Sequence, residues 1–235
     1  MNLQTENHPG GRRTPVKGLS VIAALFTTCV VLASSANMVW AQKKQRNSSG
    51  TAATEARAAA IPLETMVTIV SAEDTRNWAD NLPTLIFDKD PGVRRRVALA
   101  AGRIGDERAV PSLIVQLQTD RDASVRMMAA FALGEMESAS GADALIFALK
   151  RTNESSEFRA RVLEAMGKIA AALPKTDEAH MTALGETVLN ALNVEAARGA
   201  QADKGLVLAG LTAALRAHPA NTATVVAKFL SHKDE

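Results

Sequence analysis

The chain has 235 residues, 47% hydrophobic and 22% charged, which is enough apolar material for a substantial buried core. Its net charge is only +2, and it holds one cysteine, no tyrosine, six phenylalanines and two tryptophans. A disulfide framework or thiolate metal cage is therefore excluded, and aromatic stacking on single-stranded nucleic acid is poorly supplied.

Residues 1–17 are polar and carry Arg12, Arg13 and Lys17; Leu19 to Ala33 is an almost unbroken apolar run. Fifteen residues are short for a membrane span and typical of a signal-peptide core. Small or compact residues at Val39 and Ala41 favour cleavage after Ala41. Residues 1–41 thus read as a signal peptide, with an uncleaved N-terminal membrane anchor as the alternative. Export to the periplasm or cell envelope follows, with membrane contact only if the segment stays attached. The only cysteine, Cys29, falls inside the leader. Loss of the leader leaves 24 basic and 24 acidic residues, a net charge of zero. A basic nucleic-acid-binding face is not expected from that balance. Residues 42–60, rich in Lys, Ser, Thr and Ala without an apolar period, read as a flexible tether.

From residue 61 the pattern becomes helical and then repetitive. Ile61, Met66, Ile69 and Val70 predict a short first helix, Trp78 a residue covering the end of the stack, and Asn81-Leu82-Pro83 the start of a second helix. Three later stretches align: VRRRVALAAGRI (Val93–Ile104), VRMMAAFALGEM (Val125–Met136) and FRARVLEAMGKI (Phe158–Ile169). Apolar residues recur at i, i+4, i+7 or i+8, and i+11, one stripe of a helix. Gly102, Gly134 and Gly167 keep the same step, although glycine inside a helix costs about 1 kcal/mol relative to alanine. Close approach by a neighbouring helix, or a turn ending the helix, would account for them.

Each long stretch is followed by a second apolar segment. Ala109–Leu117 and Gly141–Leu149 superpose with Leu113 over Leu145, Ile114 over Ile146 and Leu117 over Leu149, and the shorter 83–88 segment fits with Leu85 under Leu113 and Ile86 under Ile114. A helix pair of about thirty residues cannot hold a core alone, so the pairs must stack. The expected fold class is an all-α solenoid of stacked antiparallel helix pairs over residues 61–235, regular over 85–173 and degenerate over 174–235. In the degenerate part Thr176 is expected to cap a helix to about Leu192, and Asn193–Gln201 to form a loop. Asn221 is expected to cap a last helix, and the residues from Leu230 resemble a further junction.

The junctions also repeat: Asp88-x-Asp90-x-x-Val93-Arg94, then Asp120-x-Asp122-x-x-Val125-Arg126. With the following A-x-A-x-G-x-I these segments resemble the short HEAT-like repeat of the bilin-lyase type. Ser71–Trp78 (SAEDTRNW) and Met128–Gly134 (MAAFALG) are further similar to the HEAT-repeat half of secreted bacterial proteins that also carry a cyclophilin-type prolyl isomerase domain. The resemblance implies a helical-repeat fold and a role in protein binding.

Two residue columns follow from the repeat. Arg94, Arg126 and Arg159 predict a structural ladder that meets junction carboxylates such as Asp90 and Asp122. With Leu113, Ile114 and Leu117 facing the core, Phe87, Val115 and Phe147 point away and predict an apolar column on the inner face, flanked by Ser112 and Gln116. The expected partner of that column is a protein or an extended peptide. No catalytic residue, metal site or cofactor is expected. His180, His218 and His232 have no ligand spacing, and no nucleophile motif or phosphate loop is present. The function expected is a non-catalytic interaction scaffold. The alternatives are the repeat arm of a larger secreted prolyl isomerase and a stand-alone lyase-like enzyme.

Overall fold

The computed structural model describes residues 61–78 and 81–230. The leader expected over residues 1–41, the tether over 42–60 and the junction beyond Leu230 lie outside the described residues. Among the described residues ten α-helices follow one another: α1 (Leu63–Asp74), α2 (Leu82–Leu85), α3 (Pro91–Ile104), α4 (Val110–Thr119), α5 (Ala123–Met136), α6 (Ala142–Leu149), α7 (Ser156–Ala172), α8 (Glu178–Ala197), α9 (Lys204–Ala217) and α10 (Thr222–Leu230). No strand occurs among the described residues. The odd-numbered helices α1, α3, α5, α7 and α9 pack in sequence on one another; α2, α4, α6 and α8 pack against α3, α5, α7 and α9, and α10 packs on α8. This is the all-α solenoid of helix pairs expected from the repeat.

From α3 onward the first helix of each pair starts at a side-chain cap, whereas α1 starts at Pro62 without one. Asp90 Oδ1 accepts from Gly92 N at 2.8 Å, Asp122 Oδ1 from Ser124 N at 2.8 Å, Ser155 Oγ from Phe158 N at 3.1 Å, and Asp203 Oδ1 from Leu206 N at 3.0 Å. Each satisfies an N–H that the helix leaves open, worth about 1 kcal/mol relative to alanine. The preceding acid supports the cap: Asp90 N donates to Asp88 Oδ1 at 2.8 Å and Asp122 N to Asp120 Oδ1 at 2.9 Å. Sequence and structure differ at α8, where Asp177 rather than Thr176 is the cap. The helix also continues through Asn193 to Ala197, so the expected loop shrinks to a single 3-10 turn at Gly199–Gln201.

Gly102, Gly134 and Gly167 lie inside their helices, so close approach and not a turn explains them. A Cβ on Gly102 would stand 2.9 Å from Ala132 Cα, one on Gly134 2.7 Å from Ala165 Cα, and one on Gly167 2.7 Å from Ala213 Cα. Each glycine therefore receives the backbone of the next first helix, and the series runs α3 to α5 to α7 to α9. Contact with Ala213 identifies α9 as the fourth member, 48 residues after α7's Ala165 instead of 32 or 33. The extra length sits in α8, which has 20 residues.

The core runs along the interface of the two helix layers. Val97, Ala101, Leu113, Leu117, Ala129, Leu133, Leu145, Val162, Met166, Leu184, Val188, Leu192 and Ala214 are among its buried members. Trp78, expected to cover the end of the stack, is 3% exposed and packs into this core. In the short second segment Ile86 is fully buried while Leu85 is only partly so, the reverse of Leu113 and Ile114. With only four helical residues, α2 loses a turn, and the face it presents is rotated by one residue relative to α4.

Candidate functional site

Along α4, α6 and α8 one pattern of burial recurs. Leu113, Leu145 and Leu192 are buried; two residues on, Val115, Phe147 and Val194 are 46%, 60% and 48% exposed; one further on, Gln116, Ala148 and Glu195 are buried again. The pattern fixes the register between α6 and α8 at 47 residues. Phe87, 53% exposed at the end of the short first segment, precedes Val115 in the series. The structure therefore leaves Phe87, Val115 and Phe147 open to solvent on successive second helices. Val194 is an additional member that the sequence reading missed. The signal for it was the Leu192-x-Val194 spacing within a helix whose offset from α6 departs from the regular 32.

The two polar residues expected beside this column separate. Ser112 is half-buried on α4. Gln116 is 2% exposed and turns into the structure, where its Nε2 donates to Ile86 O at 2.6 Å, while Oε1 is buried without a hydrogen-bond partner. Gln116 is thus no surface contact. It holds the carbonyl that the short α2 leaves without a further turn to accept into.

The arginine column is a ladder, but its carboxylates are not Asp90 and Asp122. Arg94 Nε and Nη2 each donate to Asp120 at 2.7 Å, and its Nη1 donates to Asp88 O at 2.9 Å. Arg126 repeats the arrangement one unit later, with Nε and Nη2 on Glu154 at 2.9 and 2.8 Å and Nη1 on Asp120 O at 2.9 Å. Asp90 and Asp122 each commit an oxygen to capping their own helix and form no ion pair with Arg94, although the Asp122 charge still acts on that guanidinium. Each arginine so binds the carbonyl of its own junction and the carboxylate of the next. The paired forks are bidentate and partly shielded from water, the geometry in which Arg exceeds Lys. Asp120 also draws the Arg94 guanidinium further toward its charged form. Arg159 is the exception: its Nε is buried without a hydrogen-bond partner.

On the first-helix layer a second set of charges ties units together. Arg96 of α3 binds Glu73 of α1 through both nitrogens, Nη2 to Oε2 at 2.8 Å, with Arg103 nearby at 3.5 Å. Lys168 of α7 bridges to Glu135 of α5 and to Glu164 at 3.0 Å, and it lies with Arg161 over the Phe131 ring, at 5.1 and 5.3 Å from its centre. The hydrogen bonds from Arg96, against the opposing effect of burial, hold the Glu73 carboxyl below its ordinary range. A depressed carboxylate contributes stability above the unfolded pKa and loses it as pH falls through the folded one. The Tm of wild type should therefore exceed that of Glu73→Gln at neutral pH, and the two should converge as the solution is acidified. A gap that stays constant across the acid range would show that the pair has no such role.

Histidine chemistry finds no frame among the described residues. His180 Nδ1 pairs with the cap Asp177 at 2.8 Å, and that contact raises its pKa; His218 ends α9 in the left-handed region, φ 46°. No group of three metal-ligating side chains occurs among the described residues. No described helix is long and apolar enough to cross a membrane.

A search of curated proteins finds no match to the chain. The model of a family described as HEAT repeats matches residues 54–126 and again 110–190, together more than half of the sequence. HEAT repeats are commonly protein-interaction scaffolds and generally not catalytic. The stacked pairs, the glycine contacts between successive first helices and the arginine ladder agree with that match, and the chain belongs to the HEAT-repeat family.

Proposed function

We propose that this protein is a non-catalytic scaffold, exported to the periplasm or cell envelope, that captures a protein segment or extended peptide on the face of its second helices. The observation that carries the reading is the series of exposed apolar side chains Phe87, Val115, Phe147 and Val194 at one register of successive units. Large aromatic side chains left in water at a repeated position gain free energy when a partner covers them, and repeat arrays use such aligned faces for binding. Export is supported by the basic, then apolar, then small-residue pattern of residues 1–41. The similarity of Ser71–Trp78 and Met128–Gly134 to the repeat half of secreted prolyl isomerases fits the same kind of client contact.

The test is the double variant Phe87→Ser with Phe147→Ser. Capture of the natural partner from the source cells should be lost, while helicity and Tm stay close to wild type, because exposed side chains contribute little to folding. Unfolding of the variant would instead assign both rings to the core, where truncating a phenylalanine costs about 3–5 kcal/mol. Undiminished capture would remove the surface from consideration. The N-terminal residue of the natural protein decides export: Gln42 at the start means a cleaved leader, Met1 an uncleaved one.

A further inference from the structure

The arginine ladder has a missing rung, and its position is informative. Arg94, Arg126 and Arg159 each stand four residues after a cap, at Asp90, Asp122 and Ser155. The partner carboxylate comes from just before the following cap: Asp120 lies two residues before Asp122, and Glu154 immediately before Ser155. At the next junction the cap is Asp203, and the two preceding residues are Gln201 and Ala202. Neither is an acid. Glu195 takes over one duty of that acid, accepting from Asp203 N at 2.8 Å, and spends its other oxygen on Arg198 at 3.0 Å. Arg159 is left with a buried Nε that has no hydrogen-bond partner, and no carboxylate among the described residues forms an ion pair with it.

This guanidinium lines a cleft of about 450 Å³ between the end of α6 and the face of α8. Lys150, Arg151, Glu186, Asn190 and Val194 are among the other walls. Three cations meet one carboxylate there, and Arg151 already answers Glu154 at 3.1 Å, so the cleft is electropositive. Val194 is itself a wall of the cleft, and Phe147 stands three and four residues before Lys150 and Arg151 in the chain. The charged socket thus includes the last member of the apolar column, Val194.

Resting on the scaffold reading above, we propose that the Arg159 cleft receives an Asp or Glu side chain of the bound segment, flanked there by apolar residues, and so completes the ladder with a carboxylate from the partner. Arg159 is half-buried and its Nε is already withdrawn from water in the free protein, so part of the desolvation that an ion pair costs is incurred before the carboxylate arrives. A charge-assisted bond of this kind favours Asp over Asn in the partner by about tenfold or more.

A random-peptide display library, panned in parallel on the wild type, Arg159→Gln and Ala202→Glu, tests this. Ala202→Glu places a carboxylate immediately before the cap, where Glu154 stands in the preceding unit, and should occupy Arg159 from within. Wild type is expected to select apolar peptides enriched in Asp and Glu, with tenfold weaker binding of their Asn and Gln versions. Both variants should keep the apolar preference and lose the acidic one, and Ala202→Glu should also raise the Tm. Selection of apolar peptides without acidic enrichment, or the same enrichment on Arg159→Gln, overturns the cleft while leaving the scaffold reading intact. Peptides whose binding ignores Phe147→Ser overturn that reading too. Affinity that emerges only after residues 231–235 are removed would give the cleft to the chain's own Asp234 and Glu235, and would also overturn the proposal.

Discussion

Gly134→Ala is expected to destabilise the array by about 2 kcal/mol, against the roughly 1 kcal/mol gain that alanine brings to a helix interior. The added methyl would meet Ala165 Cα at 2.7 Å and Ala165 Cβ at 2.8 Å, and neither atom can rotate away. Helix α7 must therefore move as a body, and with it the side chains that interlock α5 and α7. For a protein of this size about 1 kcal/mol corresponds to a Tm change of about 2–4 °C, so the loss is readable by calorimetry. Gly105→Ala is a useful comparison, because nothing lies within 4 Å of its Cβ and any cost there comes from its φ of +73° alone. A Tm for Gly134→Ala equal to or above wild type would mean that the helices separate easily, and the glycine register would lose its explanation.

Arg126→Met should be costlier still, about 3 kcal/mol, because of what it leaves behind. The Glu154 side chain is 2% exposed and accepts two bonds from Arg126 in addition to its contact with Arg151. Removing one partner of a buried pair strands the other charge, and that desolvation exceeds the net worth of the pair. The double variant Arg126→Met with Glu154→Met should recover a large part of the loss. If the two single losses simply add, the residues are not coupled and the ladder is ornamental to stability.

Much of the fold was legible because two constraints act locally and repeat. The apolar stripe at i, i+4, i+7 and i+11 and the aspartate caps are set within one helix, so Val93–Ile104, Val125–Met136 and Phe158–Ile169 announce themselves. The ladder was legible as a column of arginines, whereas its acceptors were not. Asp90 and Asp122 looked equivalent to Asp120 in a string, and only the direction of a capped helix start tells which carboxylate is free to turn outward. The apolar column was readable wherever the 32-residue step held, and it was lost at Val194 because α8 is longer than its predecessors. Gln116 was misplaced for a related reason. Its angle on α4 suggested a flank of the surface, but the turn missing from α2 opened a buried carbonyl that only a polar side chain could answer.

That residue has a counterpart two units on. Gln116, Ala148 and Glu195 occupy the same register and all three are buried, two of them as polar side chains. Gln116 reaches back to the truncated α2, and Glu195 reaches forward to the cap whose usual acid is absent. At this one address polar side chains answer the two backbone groups that irregular lengths leave open, the Ile86 carbonyl after the short α2 and the Asp203 N–H after the long α8.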